Sequence, residues 1–185
     1  MNKNDVIFAI ICGLAVAWVA SDFFKKYGAF FLIALPAFSI IGLWVADAIG
    51  KKFLFVHQLG KFGLAGAFAD VVDIKVFQLL FWLLPWPGTS VLKATSYIIA
   101  TFVKYFSDKH WTFEKPEKKD MHKEMAKFFI VALCGLLINV VSFHYFSKIK
   151  TGISTNLWLE LSVIFAALVS AVWNFSGYKF IVFKK

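Results

Sequence analysis

The sequence predicts an all-α membrane protein of six transmembrane helices, arranged as three related helical hairpins with both termini in the cytoplasm. Three observations carry that expectation. Of the 185 residues 60% are hydrophobic and only 17% charged, with 23 Phe and a mean hydropathy of +0.73, too apolar for a soluble domain with a polar surface. Six apolar stretches, each about 19 residues or longer and so able to reach across about 30 Å of hydrocarbon, are separated by short polar breaks. The ends of these stretches also repeat one another.

Composition excludes several classes. A soluble enzyme, a disordered binder and a secreted disulfide scaffold do not fit. The net charge of +9 comes from 20 basic residues that are all lysine. Without arginine, forked recognition of phosphates and base edges lacks its usual donor, so no nucleic-acid partner is expected. Cys12 and Cys134 stand alone inside apolar runs and read as small core hydrophobes. No metal-ligand spacing, glycine-rich phosphate loop or nucleophile elbow occurs, so no metal, cofactor or catalytic residue is assigned.

The first stretch, Val6 to Phe24, follows Lys3 and also suits a secretory signal, but it fits the repeat and is read as a span. The second runs from Phe30 to Gly50. The third, Lys61 to Leu84, ends in the stiff turn Leu84-Pro85-Trp86-Pro87-Gly88, which places Trp82 and Trp86 where interfacial tryptophans sit. The fourth is Ser90 to Phe113, the fifth Met125 to Phe146 and the sixth Leu157 to Phe183. Residues 1–56 form the first hairpin, 57–113 the second, 114–123 a solvated cytoplasmic linker and 124–185 the third. With the N-terminus inside, fourteen lysines fall in cytoplasmic segments and five, Lys25, Lys26, Lys93, Lys148 and Lys150, in external ones.

The repeat is the most informative feature. Leu59-Gly60-Lys61-Phe62, opening the third stretch, matches Met125-Ala126-Lys127-Phe128, opening the fifth. In that frame Asp73 falls on Asn139 and Phe77 on Phe143. At the ends of the even stretches, residues 104–113 align without a gap on 174–183, and 46–55 follow the same frame. Hairpins repeated in one orientation pack around an axis along the membrane normal, which often frames a substrate path.

Residues 61–183 resemble the GtrA-like family of small four-helix membrane proteins. That family has a basic residue and Phe opening its odd helices, and Asn-Phe, a basic residue, an aromatic and Val-Phe closing its even ones. Asn174-Phe175, Lys179 and Val182-Phe183 match the closing pattern, whereas Lys104-Tyr105 departs from Asn-Phe although Lys109, Trp111 and Phe113 fit. The first hairpin lies outside the resemblance. What the resemblance implies is cell-envelope glycan synthesis, either by flipping polyprenyl-phosphate-linked sugars across the plasma membrane or as a non-transporting partner or anchor of a polyprenyl-phosphate glycosyltransferase. A chain of this size is small for enclosing a sugar path alone, which leaves a homo-oligomer open. A small cation exporter is the third reading.

Under the first reading the cytoplasmic helix ends gather Lys61, Lys104, Asp108, Lys109, Lys127, Asn174 and Lys179 around a lipid phosphate, for whose oxygens ammonium and amide groups are apt donors. Asp70, Asp73 and Asn139 would line the sugar path. Simpler roles compete. Lys104 and Asp108, four apart, are placed to pair, the lysines orient the chain, and Asp70 and Asp73 hydrogen-bond neighbouring helices. His57, His110 and His122 are expected in solvated loops, and His144 beside Glu160.

Overall fold

The computed structural model describes residues 1–84, 88–115, 120–149 and 154–184, and these contain helices and no strand. The helices are α1 (Lys3–Phe23), α2 (Gly28–Gly50), α3 (Leu54–Leu83), α4 (Thr89–Ser107), α5 (Met121–Ser147) and α6 (Thr155–Gly177). A 3-10 turn at Lys25–Tyr27 joins α1 to α2, and π-helical turns at Asp108–Thr112 and Tyr178–Val182 extend α4 and α6. Expectations for Trp86, Lys150, Lys185 and residues 116–119 of the linker lie outside the described residues.

Four segments are long and apolar enough to cross a membrane: Lys3–Phe23, Lys25–Gly50, Met121–Ser147 and Leu157–Val182. The 30-residue α3 and 19-residue α4 have the length, about 45 and 28 Å at 1.5 Å per residue. They are less apolar because Lys61, Asp70, Asp73 and Lys75 interrupt α3, and Lys93 and Lys104 interrupt α4. The third helix starts at Leu54 rather than Lys61, because Leu54–Gly60 holds no proline and Gly60 lies where α3 passes Ala46. Lys61 and Lys127 therefore lie inside their helices rather than at the openings.

The chain divides into two compact units, Met1–Glu114 and Lys115–Lys185. In the first, Asn2 caps α1 in a reciprocal capping box with Asp5. The face that α1 buries is small, Asp5, Ala9, Cys12, Gly13 and Ala17, which lets backbones approach as membrane helices do when no hydrophobic force separates inside from outside. At Gly13 an added Cβ would stand 2.4 Å from Pro36 Cα, so α1 and α2 touch backbone to backbone. Ala9, Cys12, Leu43, Ala65 and Trp111 form the core where α1, α2, α3 and the first π turn meet. Cys12 is a core hydrophobe, as its setting in the sequence predicts. Large apolar side chains instead face outward, Ile33 at 78% and Trp82 at 79% exposure, a surface suited to lipid rather than water.

In the second unit α5 and α6 pack antiparallel. Trp158 Nε1 donates to Phe146 O at 3.0 Å, Ser170 Oγ to Gly135 O at 2.8 Å and Trp173 Nε1 to Val131 O at 3.1 Å. Each bond uses a spare lone pair of an α5 carbonyl, the interhelical glue available without water. Lys115 Nζ bonds the Lys184 carbonyl, tying the start of this unit to its end.

Candidate functional site

The repeat read from the sequence has a structural counterpart in both units. The two π turns occupy the same positions of the aligned segments, and each is closed by a bond spanning five residues. Phe113 N–H donates to Asp108 O at 2.8 Å, and Phe183 N–H to Tyr178 O at 2.7 Å. A π turn inserts a residue into helical spacing and turns the following side chains inward. Four buried positions coincide, Tyr105, Asp108, Thr112 and Phe113 in one unit and Phe175, Tyr178, Val182 and Phe183 in the other, whereas Lys109 and Trp111 are buried where Lys179 is half-buried and Ile181 exposed. The segment 46–55 departs from this pattern. There α2 ends at Gly50 and α3 begins at Leu54 with no π turn between.

Inside the first unit the expected phosphate ligands already have partners. Lys104 Nζ lies 3.2 and 3.1 Å from the two oxygens of Asp108, donates to Phe62 O at 2.9 Å and caps the Phe62 ring at 3.8 Å. Thr112 Oγ1 donates to the same carboxylate at 2.9 Å. The i,i+4 pairing weighed from the sequence is therefore formed. Lys109 is buried, with its Nζ 3.3 Å from Tyr105 Oη.

Lys61 is 1% exposed and is held by two carboxylates, Asp5 Oδ1 and Glu114 Oε1, both at 2.8 Å. Trp111 Nε1 donates to the same Asp5 oxygen at 3.0 Å, and Asn2 N–H donates to the other at 3.1 Å. Glu114 reaches Lys61 from directly after the π turn, at a left-handed φ of 50°, a conformation that costs roughly 1–2 kcal/mol for a residue with a Cβ. His57 corrects the expectation of a solvated loop residue. It is on α3, half-buried, with Nε2 3.9 Å from Asp5 Oδ2 and Nδ1 3.3 Å from Asp47 Oδ1. The N-terminal amine also meets Asp47, at 2.6 Å. Hydrophobic patterning gives no sign of this node, because bonded partners such as Asp5 and Trp111 are 106 residues apart.

The second unit differs. Lys127 is exposed and Lys179 half-buried, and neither forms an ion pair among the described residues. Their chain neighbours Phe128 and Tyr178 stack at 4.0 Å between centroids, 11° from parallel, which holds both lysines at the end of the α5–α6 pair. Asn174, equivalent to Lys104 in the repeat, presses its amide on Gly135, where an added Cβ would stand 2.1 Å from Oδ1. That oxygen is buried without a hydrogen-bond partner among the described residues.

The carboxylates expected along the spans separate into two kinds. Asp73 accepts from Ser96 Oγ at 2.6 Å and pairs with Lys93, both on α4. Asp70, one turn away, is exposed and makes no hydrogen bond or ion pair among the described residues. Asn139 is half-buried on α5. Lys75 pairs with Asp22 of α1, and its ammonium caps Trp18 at 4.1 Å. Lys75 and Trp18 line a groove of about 510 Å³ together with Val72, Gln78, Leu79 and Trp82. His144 meets Lys148 at 2.9 Å, so its neighbour is a lysine one turn away on its own helix rather than Glu160.

Residues 61–183 match the family model described as GtrA/DPMS, transmembrane domain. The chain is 24% identical over 135 residues to a protein of Listeria monocytogenes named "Cell wall teichoic acid glycosylation protein GtcA", covering 70% of this chain and 86% of the relative. A relative of the same name from Listeria monocytogenes serovar 1/2a is 24% identical over 131 residues, with the same coverage. No solved structure matches the chain.

Proposed function

The chain belongs to the GtrA/DPMS transmembrane-domain family, and from that premise we propose that it carries polyprenyl-phosphate-linked sugars across the plasma membrane for cell-wall glycosylation, as a carrier rather than an enzyme. It is a multi-pass membrane protein, and the relatives' names tie them to cell-wall glycosylation. In this reading α3 and α4 complete six spans, and the lysine distribution sets both termini in the cytoplasm. The polyprenyl tail stays in lipid. Asp70 and Asp73 in the first unit face the sugar, and Asn139 in the second is assigned the same role by the repeat.

The observation that carries the phosphate site is the contrast between the two units. Lys61 and Lys104 already have carboxylate partners, whereas Lys127 and Lys179 have none among the described residues. The phosphate therefore docks on Lys127 and Lys179 beside the Asn174 amide, while Lys61, Lys104, Asp108 and Lys109 hold the first unit's helix end in shape. Each charge-assisted contact of this kind contributes roughly 1.5–3 kcal/mol.

Leaflet exchange tests the proposal. Vesicles holding the protein and a fluorescent polyprenyl-phosphate sugar in both leaflets are treated with an impermeant quencher. A carrier lets quenching run to completion, and Lys127→Ala with Lys179→Ala slows it at least about tenfold, the equivalent of one lost contact. Quenching that stops at the outer leaflet, as in protein-free vesicles, sinks the carrier reading and leaves the glycosyltransferase anchor.

A further inference from the structure

The node around Asp5 has the form of an occupied anion site. Three donors from three parts of the first unit bond one carboxylate, Lys61 Nζ at 2.8 Å, Trp111 Nε1 at 3.0 Å and Asn2 N–H at 3.1 Å, and the His57 ring stands beside it with Nε2 at 3.9 Å. Lys61 and Trp111 lie within the family match and His57 four residues before Lys61, whereas Asp5 and Asn2 come from the hairpin that precedes it. The guest is thus supplied by the added segment and most of its host by the family domain. In the repeat Lys61 corresponds to Lys127, which is exposed and without an ion-pair partner among the described residues. Trp111 corresponds to Ile181, so the indole donor belongs to the first unit alone.

We infer that Lys61, Trp111 and His57 form a second phosphate-ester site, filled from within the chain by the carboxylate of Asp5. An ammonium and an indole N–H converging on one oxygen suit a phosphate oxygen as well as a carboxylate oxygen. That the phosphate belongs to a lipid rests on the function proposed above. Glu114, on the rim at 63% side-chain exposure, keeps Lys61 compensated when Asp5 is neutralised. The first hairpin stays docked on α3 through Ala46 against Gly60 and through Asp22 with Lys75.

The test counts binding sites on the full chain in detergent. Wild type and Asp5→Ala, which empties the site, are titrated calorimetrically with dodecyl phosphate, and in a second arm with inorganic phosphate. Asp5→Ala is expected to take up one more equivalent of dodecyl phosphate than wild type, at least about tenfold more tightly than inorganic phosphate, and to lose it when Lys61→Gln is added. An unchanged count in folded Asp5→Ala overturns the site and leaves Asp5 a structural partner. Equal uptake of inorganic phosphate overturns the lipid assignment. Should Asp5→Ala melt lower than wild type, dodecyl phosphate must raise its Tm by more than it raises the wild-type value, and an equal or smaller rise overturns the proposal. Failure of the function proposed above is recognised separately, since leaflet exchange can be absent while the extra equivalent is present.

Discussion

Lys61 and Asp5 are joined in one ion pair, yet their removal has unequal consequences. Lys61→Ala leaves a carboxylate with 3% side-chain exposure facing only neutral donors and His57, and loss of one partner of a buried pair costs about 3–5 kcal/mol. Asp5→Asn leaves Lys61 on Glu114 and keeps an acceptor for Trp111, so its cost is nearer 1–3 kcal/mol. Thermal unfolding in detergent should rank wild type above Asp5→Asn and Asp5→Asn above Lys61→Ala, and the reverse order of the two variants would contradict the double partnership of Lys61. At this scale the sequence was readable only where partners are close along a helix. Lys104 and Asp108 are one turn apart, so their pairing was visible. Asp5 with Lys61, Asp22 with Lys75 and Asp73 with Lys93 join different helices, and no periodicity encodes which helices become neighbours.

Helix elements were far more legible, because an apolar run long enough to span hydrocarbon has few alternatives to being a helix. What stayed hidden was how two of them end. The aligned segments 104–113 and 174–183 revealed a common ending, but an extra residue per turn leaves no mark in side-chain chemistry. The close approach of α1 and α2 was equally silent, since glycine serves for many purposes. Two glycines separate contact from accident. Gly13→Ala drives a methyl group against the Pro36 backbone at 2.4 Å and should destabilise by about 1–3 kcal/mol or more. Gly42→Ala meets nothing within 4 Å and should be neutral or slightly stabilising, by up to about 1 kcal/mol of helix propensity. Unfolding of both in the same detergent checks the pair, and equal losses would remove the crossing from the account.

Over the whole molecule, the orientation proposed from the lysine asymmetry is tested by surface labelling. In a background lacking Cys12 and Cys134, cysteines at Gly88 and Ser154 should react with an impermeant reagent added to intact cells, and one at Asp120 only after lysis. Labelling at Asp120 alone in intact cells would invert the topology. The first hairpin is also fastened at both ends of α1, by Asp5 to Lys61 and Trp111 at one end and by Asp22 and Trp18 to Lys75 at the other. Lys51, Lys52 and Phe53 are all that connect it covalently to α3. That peptide link is therefore redundant. Two open reading frames, one encoding Met1–Lys51 and the other Lys52–Lys185, should yield fragments that copurify from the membrane, and simultaneous loss of both fastenings should part them. The added hairpin is, in effect, a small subunit that happens to be translated in frame.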